Sequence, residues 1–159
     1  MILALDPGTR RLGLALAGPD RVHWAGGVAL DHRVAAGVMI EEALCALPAA
    51  VRRSAEVITL ISEWPAKYAA KSAAHEDIDG LRGVVAGFEV AARWQSTRRV
   101  SPRAWKGQVP KHIHHHRIAE ALTASERALL DWLNLTPDAR DAVGIALWYT
   151  RRLVGPARR

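Results

Sequence analysis

The order of apolar segments implies an α/β domain with a mixed central sheet. Strands come first as a meander, and strands then alternate with helices. Two apolar strands, each running into a carboxylate, form its centre. The first, Ile2-Leu3-Ala4-Leu5, has no polar alternation and therefore reads as a strand covered on both faces. It stops at Asp6. Pro7-Gly8 turns the chain, and Leu12 to Leu16 returns as an antiparallel strand. Arg21 to Leu30 reads as a third strand. Asp31 is an N-cap for a helix from about Arg33 to Leu47, which Pro48 ends. Val57 to Ser62 is β-branched and apolar, a second buried strand that runs into Glu63. A helix from about Ile78 to Trp94 follows, then a short basic strand from Thr97 to Ser101. Helices near Pro110 to Leu122, Ser125 to Leu133 and Pro137 to Leu153 complete the chain.

The 159 residues suffice for a single domain, 1–159, with a full core, and half of them are hydrophobic. There is no repeat and no low-complexity linker. The 22 Lys and Arg against 16 Asp and Glu leave a formal charge of +6, which favours an anionic partner, nucleic acid or a membrane surface. No apolar stretch approaches the roughly 20 residues of a spanning helix, and Asp6 interrupts any signal-like start, so the expectation is a soluble, cytoplasmic protein that meets a polyanion. Cys45 stands alone in Ala43-Leu44-Cys45-Ala46-Leu47, which excludes a disulfide within the chain and suggests a reducing compartment, with Cys45 as core filler. Arg outnumbers Lys and Asn134 is the sole Asn, a bias that fits either a thermophile or a GC-rich genome.

If the two buried strands are parallel neighbours, Asp6 and Glu63 lie side by side at the carboxyl edge of the sheet, where open α/β sheets hold their ligands. In Thr136-Pro137-Asp138-Ala139-Arg140-Asp141, Thr136 is a good N-cap and Pro137 suits the first helical position. Asp138 and Asp141 are three apart and share a helix face. Acidic residues in a first turn are favoured by the helix dipole alone, which is sufficient reason for Asp138. Asp141 lies deeper, ahead of the apolar Ala142-Val143-Gly144-Ile145-Ala146-Leu147-Trp148. Carboxylates crowded in this way take up protons unless cations hold them. An all-oxygen site suits Mg²⁺ or Mn²⁺, and two such ions roughly 4 Å apart activate a water and stabilise the leaving oxygen of a phosphodiester.

Asp6-Pro7-Gly8-Thr9 with Gly13, Glu63 after the fourth strand, and Asp138-Ala139-Arg140-Asp141-Ala142 together resemble the RuvC Holliday junction resolvases of the RNase H-like nuclease superfamily. The resemblance runs from Ile2 to about Arg152. It implies an RNase H-like fold with a five-stranded mixed sheet flanked by helices, and a homodimer formed through the Gly80–Ala92 helix. It also implies nicking of two strands at a four-way junction with two Mg²⁺ per active site, Mn²⁺ being able to substitute. The four acidic positions, catalytic and metal-binding, would fall on Asp6, Glu63, Asp138 and Asp141.

Pro102 to Lys111 is similar to the lysine-bearing DNA-contact region of that family, with Arg103, Lys106 and Lys111 suited to phosphate oxygens. The family's glycine-rich connection is replaced by Val109-Pro110-Lys111-His112-Ile113-His114-His115-His116-Arg117, a version similar to phage-encoded relatives, for which the compartment is a bacterial host cell. His112, His115 and His116 share a helical face; a solvated, partly cationic face near DNA is preferred to a zinc or catalytic site. The family also carries an aromatic soon after its Glu that stacks on bases. Here Trp64 or Tyr68 can fill that place, with Lys67 and Lys71 flanking, unless both rings pack in the core. Arg10 and Arg11 are candidate phosphate contacts, while Arg52, Arg53, Arg151, Arg152, Arg158 and Arg159 read as a general basic field or solvated ends. Gly83 and Gly87 inside one helix suggest close approach of another element.

Two alternatives stand beside junction resolution: an RNase H-like nuclease acting on hybrid or flap substrates, and a non-catalytic junction-binding module. The second has no reason to keep four carboxylates together. Actin-like phosphotransferases also begin with Asp-x-Gly-Thr but need a second domain, for which this chain is too short.

Overall fold

The computed structural model describes residues 1–8, 10–30, 36–49, 51, 58–65, 75–92 and 94–153. Its elements are β1 (Ile2–Pro7), β2 (Arg11–Ala17), β3 (Val22–Ala29), α1 (Ala36–Ala46), β4 (Thr59–Glu63), α2 (His75–Val90), β5 (Ser96–Val100), α3 (Pro102–Trp105), α4 (Lys111–Ala121), α5 (Ala124–Leu129) and α6 (Pro137–Tyr149). The strands form one five-stranded sheet in the order β3-β2-β1-β4-β5. β1 pairs antiparallel with β2 and parallel with β4, β2 pairs antiparallel with β3, and β4 pairs parallel with β5. The mixed sheet expected from the sequence is therefore present, with the two carboxylate-tipped strands adjacent and parallel.

Side-chain alternation divides the core into two layers. Ile2 and Ala4 of β1, Ala15 and Ala17 of β2, and Ile61 of β4 pack against α4, α6 and Trp105. Leu3, Leu5, Leu14 and Leu60 point the other way, against residues of α1 and α2. All four of these leucines are fully buried, each contributing about 1.5–3 kcal/mol. The same alternation puts Asp6, Gly13 and Glu63 on the α6 side.

A row of glycines lets α6 settle there. Asp6 pairs with Gly13, and Gly13 pairs with Gly27 on β3. A Cβ on Gly13 would fall 2.0 Å from the Asp138 carbonyl oxygen, and one on Gly27 would fall 2.9 Å from Thr136 Oγ1. The first turn of α6 thus rests directly on the sheet backbone, next in the ladder to Asp6. Thr136 caps the helix by accepting a hydrogen bond from the Ala139 amide, with Pro137 following it.

Several expectations change. α3 is an added short helix, capped by Ser101 and begun by Pro102. α5 ends at Leu129, and Asp131 adopts a left-handed φ of 49°. α6 ends at Tyr149, with Arg151 at φ 62° turning the chain. Cys45 is exposed, not core filler, because Ala43 of α1 and Leu47 just after it take the buried positions. Arg152 is not a solvated end: it makes two 2.7 Å bonds to buried Glu126, which also accepts from the Val22 amide. Those bonds draw the Glu126 carboxyl down to about 2. Gly87 does face another element, Ile40 of α1, whereas among the described residues nothing lies within 4 Å of a Cβ on Gly83.

The glycine contacts give a paired prediction. Gly13→Ala should destabilise by about 3 kcal/mol or more, because backbone is the obstacle and cannot swing aside. Gly83→Ala should stabilise by about 1 kcal/mol through helix propensity. Urea unfolding of the two variants checks both signs.

Candidate functional site

Four acids gather at the carboxyl end of the sheet centre. Leu5 pairs with Ser62, so Asp6 and Glu63 occupy the next positions of the parallel ladder. Both are buried, at 5% and 8% exposure, and Asp141 is buried at 2%. Asp138 is half-buried and leans over the turn after β1: a Cβ on Gly8 would sit 2.9 Å from its Cγ and Oδ1. Three elements, β1, β4 and α6, carry these four positions to this end of the sheet.

The electrostatics follow from burial and mutual repulsion. Burial raises the Asp6 carboxyl well above its ordinary range, and Glu63, Asp141 and Asp138 push it further while Lys106 opposes them. Burial also raises Glu63, partly offset by Lys106 and by a hydrogen bond from Trp105. Asp141 goes the other way. Burial alone would lift it, but the His115 hydrogen bond and the charges of Lys106 and Lys111 outweigh that and draw it down. Lys106 is raised because Glu63, Asp6 and Asp141 overcome its own desolvation.

The contacts behind these shifts come from α3, α4 and the turn between them. Lys106 Nζ lies 3.3 Å from Glu63 Oε2 and 3.9 Å from Asp141 Oδ2. Lys111 Nζ lies 3.1 Å from Asp141 Oδ2. His115 Nε2 lies 2.7 Å from Asp141 Oδ1 and, facing an ionised carboxylate, acts as donor. Trp105 Nε1 donates to Glu63 Oε2 at 2.6 Å. Lys106 and Lys111, expected at phosphate oxygens, here hold the carboxylates. The His cluster does not form one solvated face: His112 and His116 are exposed, His114 is buried, and His115 belongs to the acidic site. Sequence reasoning missed Trp105 and His115 as site residues, and for His115 the only available signal was its four-residue spacing from Lys111, which places both on one helix face.

The other candidates lie around this end. Arg10 and Arg11 are exposed beside the turn, Arg11 beginning β2. Arg103 is exposed on α3. Trp64, half-buried, packs on the α1–α2 layer with the Arg99 guanidinium 3.8 Å above its ring and Arg82 at 5.4 Å. Lys67, Tyr68 and Lys71 lie outside the described residues.

A divalent ion is compatible with this donor set. Asp6, Glu63, Asp138 and Asp141 are all-oxygen ligands of the kind hard cations prefer, and their combined charge exceeds what Lys106 and Lys111 supply. Among the described residues no three His, Cys, Asp or Glu side chains are grouped closely enough to hold a metal as they stand. Lys106 instead bridges Glu63 and Asp141, with Trp105 bonded to Glu63 and with Lys111 and His115 on Asp141.

Solved structures of RuvC are among those that share this architecture. The RuvC of Thermus thermophilus in complex with a Holliday junction substrate matches with a TM-score of 0.57 and 17% identity, covering 94% of each chain. A second Thermus thermophilus RuvC structure matches with a TM-score of 0.56 and 16% identity, covering 98% of each chain. No protein-family model matches the chain, and no curated protein matches it in sequence. The fold is that of the RuvC structures, the RNase H-like arrangement that the sequence motifs implied. No helix among the described residues is long and apolar enough to cross a membrane.

His114 supplies a stability test beside the site. It is 2% exposed, neither ring nitrogen has a hydrogen-bond partner among the described residues, and the ring meets Trp105 edge-on at 4.8 Å. Burial holds its pKa down at about 4. The unfolded chain, titrating near 6.5, takes up the proton first, so the fold is fully stable above that value and loses stability as pH falls toward 4. His114→Leu should remove a slope of about 3 kcal/mol over that window and be neutral or stabilising at pH 7.5. Urea unfolding at pH 4.5 and 7.5 checks this, and an unchanged slope refutes it.

Proposed function

We propose that this protein is a structure-selective endodeoxyribonuclease that resolves four-way junctions by paired, metal-dependent hydrolytic nicks. The observation that carries the reading is the meeting of Asp6, Glu63 and Asp141, all buried, at the carboxyl end of paired strands in a RuvC fold. Three buried carboxylates are costly for stability alone, and burial together with their repulsion raises Asp6 well above its ordinary range. A hydrolytic site is a sufficient reason to keep them. The Thermus thermophilus structure that shares the fold is bound to a Holliday junction substrate, which favours branched DNA over the hybrid and flap alternatives.

In this reading Asp6, Glu63, Asp138 and Asp141 hold two Mg²⁺, with Mn²⁺ able to substitute. Bound there, the metal supplies positive charge for the phosphate oxygens and lowers the pKa of an attacking water. The residues of the chain provide the rest. Asp6 and Glu63 are fixed by strand pairing, and Asp138 and Asp141 by α6, so the carboxylates need little reorganisation when phosphate arrives. Lys106 and Lys111 neutralise the acids and stay within reach of a phosphate oxygen. Arg10, Arg11 and Arg103 extend the basic surface along a duplex arm, and Trp64 or Tyr68, with Lys67 and Lys71, contacts the junction centre. A homodimer through the segment Gly80–Ala92, which begins in α2 and ends just past it, would present two such sites to opposed strands. Among the described residues nothing lies within 4 Å of a Cβ on Gly80 or Gly83, and Val90 is 83% exposed.

The test offers purified protein a synthetic four-way junction, a flap and an RNA–DNA hybrid, with Mg²⁺ and with chelator. Paired symmetric nicks on the junction alone, abolished by chelator, are expected. Hybrid cleavage without junction cleavage would sink the proposal. Asp6→Asn should still bind the junction while cleaving at less than about one hundredth of the wild-type rate.

A further inference from the structure

The indole of Trp105 lies between Glu63 on β4 and Gly144 on α6. It is 1% exposed and sits in the α4–α6 layer of the core. Its N–H donates to Glu63 Oε2 at 2.6 Å, so one edge meets the acid on β4. Another edge meets α6: a Cβ on Gly144 would fall 2.7 Å from Trp105 Cζ3. Gly144 is one turn beyond Asp141, on the same side of α6. The His114 ring closes against the indole edge-on at 4.8 Å, and Lys106 Nζ lies 4.8 Å from the ring centroid. Ser101 and Pro102 begin the short helix that carries the residue.

We infer that Trp105 is a positioning residue for Glu63 in the hydrolytic site, selecting which carboxylate oxygen faces the other acids. This rests on the nuclease reading above. An indole N–H is a donor only and does not titrate, so it can hold an oxygen lone pair but never accept a proton from it. Lys106 approaches the same Oε2. With Trp105 and Lys106 both on Oε2, Glu63 Oε1 is the oxygen left to ligate a cation. A flexible donor would not fix that choice, because a free carboxylate rotates between equivalent oxygens. The packing of the ring against Gly144 couples the same choice to the placement of Asp141, so the indole also gauges the separation of β4 and α6. Hydrogen bonds to ligating carboxylates commonly set metal affinity or rate by factors of ten to a hundred.

Trp105→Phe keeps most of the ring and removes the donor. With a four-way junction and Mg²⁺, its kcat should fall about 10- to 100-fold, while junction affinity measured in chelator stays within about twofold. Mn²⁺ binding to the DNA-free protein, read by calorimetry, should weaken about tenfold. Benzothienylalanine at position 105, with sulfur in place of the N–H at nearly constant shape, should give the same losses, and it decides the matter if Trp105→Phe fails to fold. Wild-type rate and wild-type Mn²⁺ affinity in the benzothienyl protein would overturn the inference. If the wild-type protein cuts no junction, the nuclease reading fails, while the Mn²⁺ comparison still decides whether Trp105 sets Glu63.

Discussion

The seating of α6 on bare sheet backbone is the constraint on which the acidic end depends. Asp6, Gly13 and Gly27 form one cross-strand row, and the first turn of α6 lies on its two glycines. Any side chain at Gly13 would lift the helix from the sheet and carry Asp138 and Asp141 away from Asp6. Beyond that turn the helix presents Ala139, Ala142, Val143 and Ala146, all buried and small enough to keep the approach close. The helix also begins over this row, so the positive end of its dipole lies at the acid cluster and offsets a little of the repulsion. One packing decision therefore sets both the distance between the carboxylates and part of the field they experience.

That packing leaves an excess of negative charge, and the chain answers it from a single stretch, 105–115. Trp105 and Lys106 address Glu63, while Lys106, Lys111 and His115 address Asp141. Burial and then the neighbouring acids raise the Asp6 carboxyl against Lys106 alone, while His115 and the two lysines draw Asp141 down. A cation is thus wanted most beside Asp6, at the centre of the group. The same stretch gives the site its reach toward DNA, since Lys111 is exposed and Lys106 only half-buried.

The frame of this arrangement was legible in the sequence because it is written in local patterns. Continuous apolar runs marked β1 and β4 as buried, and their parallel pairing put Asp6 beside Glu63. Thr136 and Pro137 announced the start of α6. The counter-charges were not legible in the same way. His115 was one of four histidines in a helix whose periodicity gave no hint of which side was covered, and only the tertiary placement of α4 against α6 separates it from His112 and His116. Trp105 looked like one aromatic among cations, and its role depends on a bond to a residue 42 positions away. Cys45 and Arg152 misled for a related reason: burial in a short helix, or an ion pair with a distant Glu126, follows from what packs nearby and not from neighbouring residues.

The basic surplus has two separable origins. β5 is an edge strand whose residues Ser96 to Arg99 are all exposed, and charge on an edge guards against strand addition from another chain. Arg98 thus has a sufficient structural motive that owes nothing to DNA. Arg99 has another: it bonds Glu89 at 2.7 Å and lies over Trp64, tying β5 to α2 across the face of that ring. A base seeking the same face of Trp64 must first displace a guanidinium that is already paired. The cations of the 105–115 stretch differ in kind, because their partners are the buried acids themselves. Net charge alone therefore overstates the surface available to a polyanion, and the part relevant to chemistry is the small group that sits inside the acidic end, not the larger one outside it.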